Sequence, residues 1–223
     1  MTILSKNDQR GRSMVEMLGV LAIIGVLSVG GISGYSKAMA KFKLTKAQDQ
    51  ISMLLMNIRT AFATSPSYDG LNNSTAVVFG IAPAEMYDAK KIATLTDEAS
   101  KLGPSKIGAL SNAFGGQAHV NSCSGTDAYA GALGCGDGGG NYVSANKAQY
   151  FAITMTGLAR EACVSLLSSD WGSDGLVSIM VKPTVGSGEV QKFDPSDLPV
   201  SMYQASNACG GYGVVSSIAW TYY

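Results

Sequence analysis

Between Glu16 and Lys37 the chain carries no charged side chain: residues 17–36 are apolar, small or hydroxyl-bearing, twenty in all. Wound as a helix at ~1.5 Å per residue, such a run covers ~30 Å, the thickness of a bilayer's hydrocarbon core. Helical spacing then continues in a different form. Ala40, Leu44, Ala47, Ile51, Leu55, Ile58 and Phe62 recur at steps of three and four, while Lys43, Lys46, Gln50 and Asn57 occupy the other face. No proline interrupts the chain before Pro66, so the pattern predicts one helix from about Met14 to Thr64, roughly 75 Å long. A helix of that length has to serve two environments, an apolar medium first and the packing of a globular head second. Gly19, Gly25, Gly30, Gly31 and Gly34 weaken helix propensity, but they allow close approach between apolar helices; melting near Gly30–Gly31 is the competing expectation.

After Ser65-Pro66 the periodicity breaks. Residues 67–84 predict turns with one short helix or strand, 85–102 are polar and at best weakly helical, and 103–146 are rich in Gly, Ser and Asn, predicting loop and short strand. Residues 146–168 read as a second helix, with Tyr150, Ile153, Met155, Leu158, Ala162, Leu166 and Leu167 on one face. Leu176–Val181 and Val214–Tyr222 are strand-like, β-branched or aromatic, and are expected to pair antiparallel. The whole is an α+β chain: a long N-terminal helix followed by a head large enough to bury a core.

Charge changes this picture in one respect. The formal net charge is zero, yet residues 37–59 hold five basic residues against Asp49, and the chain from residue 60 holds 8 basic and 13 acidic residues. A basic stem and an acidic head attract one another between copies, within the limits of screening. Nothing in this distribution makes a nucleic-acid groove. The polar first eleven residues contain Lys6 and Arg10, which with Arg12 fit the positive-inside tendency, whereas the basic residues at 37–46 oppose it. The apolar run has no A-x-A-like break and leads directly into the stem, so it reads as retained and not as a removed secretory signal.

Candidate chemistry is sparse. Four cysteines, Cys123, Cys135, Cys163 and Cys209, all follow the apolar run, and an even number there suggests two disulfides in an oxidising compartment. Three pairings are open. Cys123–Cys135 closes a Gly-rich loop, and metal binding at Cys135 needs more closely spaced ligands than the chain offers. His119, the single histidine, belongs to no discernible Ser/His/Asp or Cys/His set and is expected on the surface or in a loop. Asp137-Gly138-Gly139-Gly140-Asn141 lacks the frame and lysine of a phosphate loop and reads as a turn. Calcium at Asp127 or Asp137 is a minor alternative. No catalytic set can be assembled, no cofactor is implied, and the ten tyrosines read as structural.

Gly11-Arg12-Ser13-Met14-Val15-Glu16, followed by MLGVLAIIGVL, resembles the type IV prepilin signature: a short basic leader ending in glycine, and a glutamate at the fifth mature position inside an apolar helix. The resemblance is close over about residues 6–35 and general to about residue 64. It implies cleavage between Gly11 and Arg12 by a membrane prepilin peptidase. It also implies an inner-membrane precursor resting in the lipid bilayer, an inner-membrane assembly platform as partner, and a homo-oligomeric extracellular pilus filament. Glu16 would accept the α-amine of Arg12 from a neighbouring subunit, since a carboxylate in an apolar medium requires a partner or a proton. Arg12 departs from the apolar, N-methylated first residue usual in that family, which leaves methylation open. The implied layout is a leader over 1–11, a helix over 12–65 and a head over 66–223. Cys163 and Cys209 resemble the disulfide bracket of type IVb pilins, including conjugative-pilus pilins, which favours Cys163–Cys209 with Cys123–Cys135. A minor pilin or type II secretion pseudopilin shares the leader, and a membrane-anchored periplasmic binding module is the rival of another class.

Overall fold

The computed structural model describes residues 14–87, 110–123, 135, 149–172, 174–183, 189–211 and 213–223. Its contacts divide the chain between Phe42 and Lys43. Helix α1, Met14–Ala61, runs for 48 residues and is unbroken at Gly30–Gly31. No described side chain comes near the helix glycines at 19, 25, 30, 31 and 34. The first part of α1 presents apolar side chains all round, with Leu27 at 69% and Val29 at 71% exposure.

From Lys43 onward the helix belongs to the head. Ala47, Ile51, Leu54 and Ile58, at helical spacing, are fully buried in the head core, with Leu44, Leu55 and Phe62 partly buried against it. Two residues expected on the solvent face are polar fasteners instead. Gln50 is 1% exposed; its Oε1 accepts from the Ala113 amide at 3.1 Å and its Nε2 donates to Glu85 at 3.3 Å. Asn57 donates to the Ile81 carbonyl at 2.7 Å. A polar side chain at the margin of an apolar stripe is inexpensive to bury once its amide groups are matched, and periodicity alone does not reveal the match.

The head is built on a six-stranded antiparallel sheet in the order β1-β2-β3-β6-β4-β5. Its strands are β1 Leu110–Ser111, β2 Gln117–Ser122, β3 Phe151–Ala159, β4 Leu176–Pro183, β5 Gln191–Phe193 and β6 Val215–Tyr222. The expected pairing of β4 with β6 is present, with Ile179 opposite Trp220 and Val181 opposite Ile218. Beyond α1 the α-helices among the described residues are α2 (Asn73–Val78), α3 (Arg160–Leu167) and α4 (Met202–Ala208).

The expected helix over 146–168 is corrected: among the described residues of that span, 151–159 form central strand β3 and Arg160–Leu167 is helical. Burial on both faces removed the alternation that marks a half-exposed strand. Phe151, Ile153 and Met155 sit in the main core, while Ala152 packs with Cys123 and Cys135 in a second cluster. The strand ends irregularly, its register with β6 shifting between Met155 and Leu158. Gly157 has φ +70° in that shift, and a Cβ at Gly116 would collide with the Thr156 carbonyl beside it. The two glycines let β2 and the bulged β3 approach closely.

One face of the sheet stacks apolar rows in register: Ile153–Trp220–Ile179 and Met155–Ile218–Val181. The opposite face carries Ala152, Thr221, Ser178 and Thr154, all of them buried. An edge of β2 is closed by the loop before α2. The Ser122 amide donates to the Leu71 carbonyl at 2.9 Å, and the Asn73 side chain accepts from the Val120 amide at 2.8 Å and donates to the Ala118 carbonyl at 3.3 Å. One amide side chain thus completes the ladder bonds that a further strand would make.

Candidate functional site

Three regions carry the residues singled out in the sequence. In the first, α1 places Glu16 in its first described turn, where an acidic group is favourable to the helix dipole. The apolar stretch behind it is long and apolar enough to cross a membrane, and none of its most apolar eighteen-residue window is buried within the chain. Gly11 and Arg12 lie outside the described residues.

The second region is the disulfide-tied end of the head. Cys163 on α3 is joined to Cys209 at the end of α4, with Cα atoms 5.9 Å apart, and both are fully buried. Arg160, one turn earlier on α3, reinforces the tie: its Nε donates to the Gly210 carbonyl at 2.8 Å and its Nη2 to the Ser206 hydroxyl at 2.5 Å. The Ser216 hydroxyl on β6 donates to the Cys209 carbonyl at 3.0 Å. Helix α4 went unnoticed in the sequence, although Ser201-Met202-Tyr203-Gln204 is a capping box: the Ser201 hydroxyl accepts from the Gln204 amide, and the Gln204 side chain accepts from the Ser201 amide. Cys123 is joined to Cys135 with Cα atoms 5.0 Å apart.

The third region is a row of aromatic rings and the cleft beside it. Phe62, Tyr68, Phe151 and Tyr222 follow one another at centroid spacings of 5.6, 4.6 and 5.8 Å. The Arg59 guanidinium stands 5.7 Å from the Tyr222 ring centre and donates to the Asp174 carbonyl at 3.0 Å. Burial pushes the Tyr222 phenol up to about 12, with Arg59 pulling the other way. A cleft of about 340 Å³ opens among Phe62, Tyr68, Tyr150, Tyr223, Gln149 and the Ser65–Ser67 turn. Among the described residues that lining holds hydroxyls, an amide and rings, with no histidine, carboxylate side chain or cation to exchange a proton near neutrality.

His119 is neither a loop nor a freely exposed residue: it lies half-buried on β2. Because Asn73 is oriented by two backbone groups, its Nδ2 faces His119 Nδ1 at 3.2 Å and makes that nitrogen the acceptor. Burial lowers the imidazole pKa. Among the described residues no cluster of three His, Cys, Asp or Glu could hold a metal. Asp127, the Asp137–Asn141 stretch and Tyr212 lie outside the described residues.

A long N-terminal helix with an exposed apolar stretch, together with an antiparallel sheet and two disulfides in the head, defines an α+β pilin-like fold. The family model for Bundlin matches residues 37–222. The chain belongs to the Bundlin family and is a pilin-family structural subunit. Toxin coregulated pilin of Vibrio cholerae is 26% identical over 214 residues, which cover 96% of this chain and 78% of that protein. Among solved structures, a type IV pilin from Vibrio cholerae El Tor biotype is similar at 15% identity and a TM-score of 0.43, covering 81% of this chain and 99% of that one. A type IV b pilin from Salmonella typhi is similar at 21% identity and a TM-score of 0.34, covering 77% of this chain and 97% of that one.

Proposed function

We propose that this chain is a type IVb pilin: a precursor held in the inner membrane by its apolar helix, cut after Gly11 by a prepilin peptidase, and drawn through an assembly platform into an extracellular filament. In this reading residues 1–11 are the leader, 12–65 the filament helix and 66–223 the head. The observation that carries it is the fully exposed apolar stretch of α1, in a chain whose stem and head match the Bundlin model. An apolar helix of this size left bare by its own chain requires lipid, or copies of itself, to cover it. The Cys163–Cys209 bracket, closed across 46 residues, supports the type IVb assignment and export to an oxidising compartment.

Glu16 supplies the test. In the filament it accepts the α-amine of Arg12 from a neighbouring subunit, so that neither charge enters the apolar core alone. Glu16→Ala should leave insertion intact or improved, because an ionised carboxylate in an apolar helix costs up to about 2.5–3.5 kcal/mol on insertion scales. Pelletable filament per unit of processed pilin should collapse, and Glu16→Gln, which keeps shape without charge, should also assemble poorly. Near-normal filament from Glu16→Ala would remove the amine–carboxylate pairing.

A further inference from the structure

The lysines that follow the apolar stretch are not accounted for by this reading. Lys37 and Lys41 would lie on the far side of the membrane, where positive charge runs against the usual topological bias. Both are exposed on α1, and no acidic residue occurs between Glu16 and Asp49 to pair with them along the helix. They stand one turn apart, four residues in sequence, on one side of the helix. Tyr35 and Phe42, seven residues apart, lie on a different flank, roughly 100–160° round the helix from the lysines, and are 66% and 63% exposed. From Tyr35 to Phe42 the helix rises ~10 Å, and residues 17–34 before it supply ~27 Å of uncharged helix, close to one hydrocarbon thickness. A helix crossing that layer meets lipid on every side, so cations on one flank and rings on the other share one depth.

We infer that Tyr35, Lys37, Lys41 and Phe42 form a collar that seats the helix among anionic phospholipid headgroups of the far leaflet. This rests on the membrane-held precursor proposed above. The lysines bind the phosphates while their stems lie along the apolar boundary, and the rings occupy the interface. An acidic protein surface would satisfy the charges equally well. It gives no reason for two exposed rings at the same depth, or for the onset of charge at one hydrocarbon thickness. The collar sets the depth of the precursor, and anionic lipid holds it there until assembly withdraws it.

The full-length chain carrying Tyr35→Trp as reporter is reconstituted in vesicles of phosphatidylcholine and phosphatidylglycerol, brominated on the acyl chains of one or the other. The same chain with Tyr35 retained supplies the background from Trp171 and Trp220. Brominated phosphatidylglycerol should quench position 35 preferentially, with a contact-site preference of roughly fivefold per lysine. Lys37→Gln with Lys41→Gln, or salt near about 0.5 M, should bring the two lipids to equal quenching. Equal quenching of the Tyr35→Trp chain with both lysines in place would overturn the inference while leaving the membrane helix standing. Quenching by neither lipid would overturn both. Equal quenching of the chain that keeps both lysines, together with filament loss in the Lys37→Gln/Lys41→Gln variant, would overturn it and assign the lysines to the acidic head of a second copy.

Discussion

Asn73 offers a sharp test of how the head is held together, because one side chain replaces a missing strand. Its Oδ1 accepts from Val120 and its Nδ2 donates to Ala118 and faces His119, with the residue 6% exposed. In Asn73→Ala the Val120 N–H and the Ala118 carbonyl lose this partner at a closed sheet edge. An orphaned buried backbone group costs about 1–3 kcal/mol, so the pair should cost about 2–6 kcal/mol in total. With a guanidinium slope of roughly 4 kcal/mol per M for a domain of this size, the midpoint should move down by roughly 0.5–1.5 M. The assay is guanidinium unfolding of the full chain in mild detergent with disulfides oxidised, followed by emission of buried Trp220 and half-buried Trp171. Asn73→Asp should be at least as damaging, since it keeps the acceptor for Val120 but sets a second oxygen against the Ala118 carbonyl. Hydrogen exchange supplies the local reading: the Val120 amide should lose protection more than the amides of β6. An unchanged midpoint in Asn73→Ala, with Val120 still protected, would refute the surrogate-strand argument.

Other consequences follow from the same structure. Replacing both Cys163 and Cys209 by alanine should cost ~4 kcal/mol on the chain-entropy estimate for a 46-residue separation, and replacing Cys123 and Cys135, 12 apart, ~3 kcal/mol; denaturation midpoints falling in the reverse order would contradict it. His119 is held below its ordinary pKa by burial, so the unfolded chain takes up its proton first as pH falls. Its contribution is complete above the unfolded value near 6.5 and is lost as pH falls from there to the folded value. Unfolding at about pH 7.5 and 5.5 should therefore show an acid-side loss that His119→Gln diminishes, and an equal loss in both proteins would exclude the imidazole as its source.

The sequence disclosed the elements with strong, simple periodicity. The apolar run, the buried stripe through Ala47, Ile51 and Ile58, and the β-branched strands at 176–181 and 214–222 were all readable, because each carries a single dominant environment. Strand β3 was not, because Phe151, Ala152, Ile153 and Met155 are buried on alternate faces and their apolar run also fits a helix. Gln50 and Asn73 look like surface residues until the backbone groups they satisfy are located. Arg160 is similar: its partners, Ser206 and Gly210, are remote in sequence and meet it only because Cys163 and Cys209 bring α3 and α4 together.

The proposed function stands on one event: the subunit loses residues 1–11 and enters an extracellular filament. Filaments sheared from cells of the native host, purified and disassembled, should yield this chain as their dominant protein by peptide mapping. Its intact mass should equal residues 12–223 with two disulfides, with or without one N-methyl group. Sheared fibres devoid of the chain, with the protein confined to the membrane and still beginning at Met1, would contradict the account.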